Sequence, residues 1–271
     1  MQHGHPKIQS PRISIVIPAR NEARNLEVIL PELPAVHQVI LVDGHSVDGT
    51  IETALRVMPG IQVVRQTRKG KGNALACGFA AVTGDIVIMF DADGSANPAE
   101  IPAFIDALLG GADVAKGSRF APGGGSEDIT LFRSLGNHGL NFITNVLLGT
   151  RYTDLCYGYN AFWTYILPHL ELPDITLPPH ADGHMHWGDG FEIETVLNCR
   201  ISAAEMKITE VASIERLRIF GTSNLNAISD GFRVLQTIWS ERQRSRLARV
   251  VPIEAHHRTF RAPATATEES A

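Results

Sequence analysis

Apolar positions along the chain fall into short unbroken runs, separated by longer stretches in which they recur every third or fourth residue. The runs "ISIVIP" from Ile13, "QVILVD" from Gln38, "IQVVRQ" from Ile61, "DIVIMF" from Asp85 and "ADVAKG" from Ala112 read as strands, and helical patterns begin between them near Glu22, Asp48, Gly72 and Pro98. Continuously apolar strands are expected where both faces of a sheet are covered, and helix-length connections carry the chain from one parallel strand to the next. The pattern predicts an α/β fold with a mostly parallel central sheet and helices on both faces. Its chemistry should collect at the carboxyl ends of the strands.

After Arg119 the texture changes to a glycine-rich "APGGGSEDIT", an amphipathic segment from Leu131 to Leu148, "TDLCYGYNAFW", and a polar insert "ELPDITLPPHADGHMHWGDG". A helix is expected at "GFEIETVLNCR", a strand at "MKITEV" and a C-terminal helix from about Asn226 to Arg242. Residues 13–242 read as a single domain with halves at 13–120 and 121–242, while residues 1–12 and 252–271 have little capacity for a core and are expected to be disordered.

Composition narrows the function classes. A chain of 271 residues that is 44% hydrophobic can bury a substantial core. The net charge of -5, without a basic face in the first two hundred residues, argues against nucleic acid as a partner. Cys77, Cys156 and Cys199 lack metal spacing and imply no disulfide frame. With no apolar segment of signal-peptide or membrane-spanning length, a cytoplasmic protein is expected, with any membrane contact peripheral.

The candidate chemistry starts at "DIVIMFDADGSANP", where an apolar strand ends in Asp91 and Asp93. Side chains at i and i+2 of an extended segment point the same way, so the pair converges on one spot. It could open the next helix, although Asn97-Pro98 is the better local cap; the alternative is a divalent cation held by hard oxygen ligands and shared with a phosphate. The other strand ends are "PARNEARN", "DGHSVDGT", "QTRKGKGN" and "KGSRF". Asp43 can accept hydrogen bonds from a base or ribose, because Ser46 and Asp48 are nearer candidates for capping the next helix. Lys71 in its Gly-Lys-Gly turn supplies a cation, and Arg119 and Arg133 offer planar forks suited to phosphate oxygens.

In this order and spacing, "IPARNEARN", "ILVDGHSVDGT", "GKGNAL", "GDIVIMFDADGSANPAEI" and "KGSRF" resemble a family 2 glycosyltransferase of the GT-A fold, and most of all dolichyl-phosphate mannose synthases and related polyprenyl-phosphate sugar transferases. The resemblance covers roughly Ile13 to Ile238. It implies that Pro18, Asn21, Glu22, Asp43, Gln66 and Lys71 bind the sugar nucleotide, that Asp91 and Asp93 bind Mg²⁺ or Mn²⁺, and that Arg119 and Arg133 contact phosphate. "RLRIFGTSNL" resembles the family's acceptor segment, making Arg218 and Ser223 candidates for an acceptor phosphate. The departures are Asn224 for the usual lysine, Ser95 for a common glutamine, and the insert carrying His180, His184 and His186, read as a solvated loop.

The implied reaction is inverting transfer of a hexose from a nucleoside-diphosphate sugar (GDP-mannose or UDP-glucose) to a polyprenyl or dolichyl phosphate. A lipid phosphate is already ionised, whereas a sugar-alcohol acceptor needs a carboxylate base. "WGDGFEIET" offers Asp189, Glu192 and Glu194, of which Asp189 or Glu192 is the expected base; the same acids could serve the start of a helix. Ile228, Phe232, Leu235 and Trp239, followed by Arg242, Arg244, Arg246 and Arg249, could pack on the core or rest on an anionic bilayer. The alternatives are a family 2 transferase acting on a soluble or polysaccharide-precursor acceptor and a non-catalytic sugar-nucleotide-binding protein. A nucleotidyltransferase would carry a glycine loop that "PARNEARN" lacks.

Overall fold

The computed structural model describes residues 10–221 and 227–250, with side chains placed for 10–221 and 231–246. The apolar runs become β1 (Ile13–Ala19), β2 (Gln38–Asp43), β3 (Gln62–Arg65), β4 (Ile86–Met89) and β5 (Val114–Ser118). The helices between them are α1 (Ala23–Ile29), α2 (Thr50–Val57), α3 (Lys71–Ala80) and α4 (Ile101–Leu109). Strand β1 lies at the centre of a parallel block, where Ile15 faces Val39 of β2 and Ile88 of β4. Its side chains alternate between two cores, as strand geometry requires. Ile15 and Ile17 join Leu26, Leu30, Phe104 and Leu108 under α1 and α4, and Val16 joins Leu75, Phe79, Leu197 and Ile201 under α3 and α6 (Ile193–Ala203).

The second half adds β6 (Gly125–Ser126), α5 (Leu131–Leu148), β7 (Asn160–Trp163), β8 (Ile208–Ala212), β9 (Ile214–Glu215) and α7 (Ala227–Val250). The main sheet has seven strands in the order β3-β2-β1-β4-β7-β5-β8, and β6 pairs with β9 in a small second sheet. Strand β7 is antiparallel to both β4 and β5 and is the element the sequence pattern does not announce, being only four residues long and buried throughout. By separating β4 from β5 it spreads the strand ends and opens the space beyond Asp91. Helix α7 runs past Arg242, the expected end, as far as Val250. The expected disordered segments fall mainly outside the described residues, since 1–9 and 251–271 are not described.

Candidate functional site

A cleft of about 870 Å³ opens at the carboxyl edge of the sheet. Four of the five strand ends reach it, through Pro18 and Glu22 after β1, Gln66 and Lys71 after β3, Asp91 and Asp93 after β4, and Arg119 after β5. Helices α5 and α7 form the opposite wall with Phe132, Arg133, Ile143, Phe232 and Leu235.

The acidic pair is already neutralised by side-chain cations. Lys71 Nζ lies 2.8 Å from Asp91 Oδ1 and 2.7 Å from Glu194 Oε1. Arg218 Nη1 lies 3.0 Å from Asp93 Oδ2, its Nη2 bonds Glu22, and its Nε donates to Phe220 O at 2.8 Å. The other oxygen of Asp93 accepts from the Ser95 hydroxyl at 2.7 Å and the Ser95 N–H at 3.0 Å. Ser95 therefore braces Asp93. Burial works against the Lys71 charge, but Asp91 and Glu194 outweigh it and hold the ammonium well above the usual lysine range. Burial pushes Asp91 upward, and the neighbouring Asp93 and Glu194 carboxylates add to that against the pull of Lys71. Burial also raises Glu22, although Asn25 and Arg218 draw it back down.

The donor set fits a hard divalent cation. Asp91 and Asp93 contribute only oxygen, and two cationic groups already occupy the positions such an ion would neutralise. Among the described residues there is no cluster of three or more His, Cys, Asp or Glu able to hold a metal alone. An ion here would depend on oxygens from a diphosphate to complete its coordination.

Several expected site residues sit elsewhere. The Asp43 carboxylate, 1% exposed, accepts from the backbone N–H groups of His45 at 3.1 Å and Ser46 at 3.2 Å and is not among the groups lining the cleft. Asp48 does brace α2 through the Thr50 N–H at 3.1 Å, but the loop needs both carboxylates. Asn21 does not line the cleft either, because its carboxamide holds the same loop by accepting from Val47 N at 2.9 Å.

Asp189 is no base in this arrangement. It is buried in a bidentate pair with Arg68, at 2.6 and 2.9 Å. Glu192 and Glu194 line the cleft instead; Glu192 Oε1 accepts from Gly188 N at 3.0 Å and Gly190 N at 3.1 Å. Arg119 reaches the cleft wall, but its fork is committed to Asp154 at 2.7 and 2.9 Å and to Glu215 at 3.0 Å, so it has little left for a phosphate. Arg133 pairs only with the half-exposed Asp128, at 3.0 Å, and remains at the surface of the cleft. Ser223 and Asn224 lie outside the described residues, as do the side chains of Ile228 and Arg249. In the insert, the rings of the exposed His180 and the half-buried His186 lie 4.0 Å apart, and His186 Nε2 bonds Pro178 O at 2.9 Å.

Sequence reasoning missed Arg68 and Gly158. Arg68 also donates to the carbonyls of Asp174 at 2.8 Å and Leu177 at 2.9 Å, pinning the polar insert beside the cleft. A Cβ on Gly158 would stand 3.3 Å from Glu194, 3.4 Å from Asp91 and 3.4 Å from Lys71, so the glycine leaves that cluster open. No local signal marks either role, because each depends on a partner distant in sequence.

The family model described as "Glycosyl transferase family 2" matches residues 14–170, from β1 to the turn after β7. Over 145 residues the chain is 32% identical to the dolichol-phosphate mannosyltransferase of Pyrococcus furiosus, across 51% of this chain and 41% of that protein. Over 173 residues it is 34% identical to the polyprenol monophosphomannose synthase of Mycolicibacterium smegmatis, across 59% of this chain and 65% of that one. The matched region thus covers less than two thirds of either relative. Among solved structures, glucosyl-3-phosphoglycerate synthase from Mycobacterium tuberculosis with bound phosphoglyceric acid shares the fold at a TM-score of 0.65 and 23% identity, covering 86% of this chain and 81% of that one. The same enzyme with Mn²⁺, UDP-glucose and phosphoglyceric acid gives a TM-score of 0.64 at 22% identity, covering 86% and 80%. The seven-stranded, mostly parallel sheet is accordingly the GT-A fold. With the family's pattern running through more than half of its length on that fold, the chain belongs to glycosyl transferase family 2.

Proposed function

We propose that this chain is an inverting hexosyltransferase that takes a nucleoside-diphosphate sugar, GDP-mannose or UDP-glucose, and transfers the sugar to a polyprenyl phosphate with Mg²⁺ or Mn²⁺ as cofactor. The observation that carries the reading is that Asp91 and Asp93 line the same cleft as α5 and α7, which contribute Phe132, Leu140, Ile143, Phe232 and Leu235 together with Arg133. Residues 13–120 would form the donor half, with Pro18, Glu22 and Gln66 beside the nucleoside and Lys71 beside the diphosphate. Residues 121–242 would form the acceptor half. A divalent ion held by Asp91 and Asp93 would supply charge stabilisation to the departing nucleoside diphosphate.

On the acceptor side, Arg133 is the fork suited to a phosphate; Arg218 would reach one only by giving up Asp93 or Glu22, and Arg119 acts as a buttress that keeps Asp154 and Glu215 in place. The acceptor oxygen attacks the anomeric carbon from the face opposite the diphosphate, which inverts the centre. An acceptor phosphate needs no deprotonation near pH 7, so Glu192 and Glu194 serve the site's shape and charge rather than proton transfer. No helix among the described residues is long and apolar enough to cross a membrane.

A soluble phosphorylated acceptor is the second reading, favoured by the fold shared with a synthase that binds phosphoglyceric acid. Glu192, in the cleft, is then the candidate base. Incubation with labelled GDP-mannose or UDP-glucose and a polyprenyl phosphate should give product that partitions into organic solvent, and Asp91→Asn or Asp93→Asn should lower turnover by about 100-fold or more. Water-soluble product would move the assignment to the second reading. Turnover unaffected by either substitution or by chelator would end both.

A further inference from the structure

The residue that opens α6 is a carboxylate with one oxygen committed and one spare. Glu192 is 7% exposed, and its Oε1 accepts from the backbone N–H groups of Gly188 at 3.0 Å and Gly190 at 3.1 Å. Two backbone donors on one oxygen fix the orientation of the group. Its Oε2 meets no protein partner among the described residues. The buried side-chain atoms that lack a partner there belong to Asn137 and Asn160, so Oε2 stays open to the cleft that Glu192 lines. Gly190 keeps it uncovered, because a Cβ on that residue would stand 2.3 Å from Oε2. The backbone of Gly190 does not lie in the left-handed region, so chain conformation alone does not demand a glycine there.

The chemistry of that oxygen narrows what it can bind. The cations of the same junction are taken, Lys71 by Asp91 and Glu194 and Arg68 by Asp189. A phosphate would be repelled by a second anion. A metal ion would lack further ligands, since no cluster of three or more His, Cys, Asp or Glu among the described residues could hold one. A hydroxyl group fits, because it donates to a carboxylate in a charge-assisted hydrogen bond. Position then selects the molecule. Lys71 Nζ joins Asp91 to Glu194, two residues beyond Glu192, and Gly72 N donates to Gly190 O at 3.2 Å. Glu192 therefore stands at the diphosphate end of the donor half, where the hexose of a sugar nucleotide is attached. A polyprenyl phosphate brings no alcohol hydroxyl to this place, whereas a hexose brings several.

We propose that Glu192 reads a hydroxyl of the hexose being transferred and so helps to select the donor sugar. A site built to pair with a hydroxyl rejects the analogue that lacks it, because its own polar group is then left buried and unpaired. The inference rests on the hexosyltransferase reading and makes Glu192 a specificity residue, not the base that deprotonates an acceptor. It is tested by titration calorimetry on the full-length chain with Mn²⁺ and, in turn, UDP, UDP-glucose, GDP and GDP-mannose. For the nucleotide that binds, the sugar should add affinity in the parent, and Glu192→Ala should remove that gain by about tenfold or more while binding of the bare nucleoside diphosphate is unchanged. Glu192→Gln keeps an oxygen for the Gly188 and Gly190 N–H groups and guards against a folding defect. It loses the charge and should weaken sugar binding by several-fold. Among donors with a single hydroxyl deleted, one should bind the parent and Glu192→Ala alike.

A gain in affinity from the sugar that both variants retain would overturn the inference. So would a Glu192→Gln variant that binds the donor like the parent yet loses turnover together with the acidic limb of its pH profile, which would make Glu192 the base. A parent that binds none of the four nucleotides would sink the hexosyltransferase reading and this inference with it. Tight nucleotide binding with no effect of Glu192 on the sugar would sink the inference alone.

Discussion

Arg218 shows what a single side chain adds to the acidic pair. It reaches Asp93 across 125 positions of sequence and Glu22 across 196. A cation entering between Asp91 and Asp93 has to compete with that guanidinium for Asp93. Half-buried pairs of this kind contribute about 1 kcal/mol after solvent screening. Arg218→Gln is therefore expected to bind Mn²⁺ several-fold more tightly in the absence of nucleotide, measured by electron paramagnetic resonance, while its turnover falls because Asp93 and Glu22 lose the guanidinium that positions them. Unchanged Mn²⁺ affinity would remove the competition. That Asp91 and Asp93 would have positive charge beside them was legible in "FDADG", because two carboxylates closing an apolar strand need it nearby. That Lys71 and Arg218 provide it was not, and neither was the commitment of Asp189 to Arg68.

At the level of elements, the cleft depends on three segments meeting at one point. The turn into α3 donates from Gly72 N to Asp189 O at 2.8 Å and from Asn73 N to the same oxygen at 3.1 Å. Contact is so close that a Cβ on Gly72 would stand 1.8 Å from Gly188 O, which is backbone and cannot step aside. Gly72→Ala is expected to cost about 2–3 kcal/mol, read as a lowered midpoint in urea unfolding. Arg68 closes the same junction from below. Arg68→Ala would leave the Asp189 carboxylate buried without its partner and should cost about 3–5 kcal/mol, most of which a double variant with Asp189→Leu recovers. A double variant no more stable than the single one would show that the pair is not isolated from its surroundings. Glycines 70 and 72 were legible only as the turn that presents Lys71. Their partner is the 188–190 backbone. Strand β7 stayed hidden for a different reason: four buried residues show no alternation, and a short apolar run does not reveal the direction in which it pairs.

For the molecule as a whole, the most exacting test of the fold is a charge at its centre. Lys116, fully buried on β5, donates to Tyr157 O at 3.0 Å. Burial pushes its ammonium below the usual lysine range, although Asp154 and Glu210 oppose the shift. Because the folded state disfavours the charged form, the penalty is present in full below the folded value and disappears once pH rises above the unfolded one. Lys116→Met should therefore gain stability relative to the parent at pH 7, and that advantage should shrink toward pH 10 in scanning calorimetry. A difference independent of pH would mean that the ammonium is not penalised. Burial likewise pushes the Cys199 thiol up to about 12, so it should resist alkylation at pH 8 until the chain unfolds.

The alternation of apolar runs with helical spacing was enough to determine a covered, mostly parallel sheet and to place polar groups at one edge, because side-chain period and crossover geometry are local properties of a chain. Which carboxylate meets which cation belonged to the tertiary structure. Coulomb attraction and hydrogen bonding act over a few ångströms, and the members of Arg68–Asp189, Arg119–Asp154 and Arg218–Asp93 lie 121, 35 and 125 positions apart until the sheet brings them together.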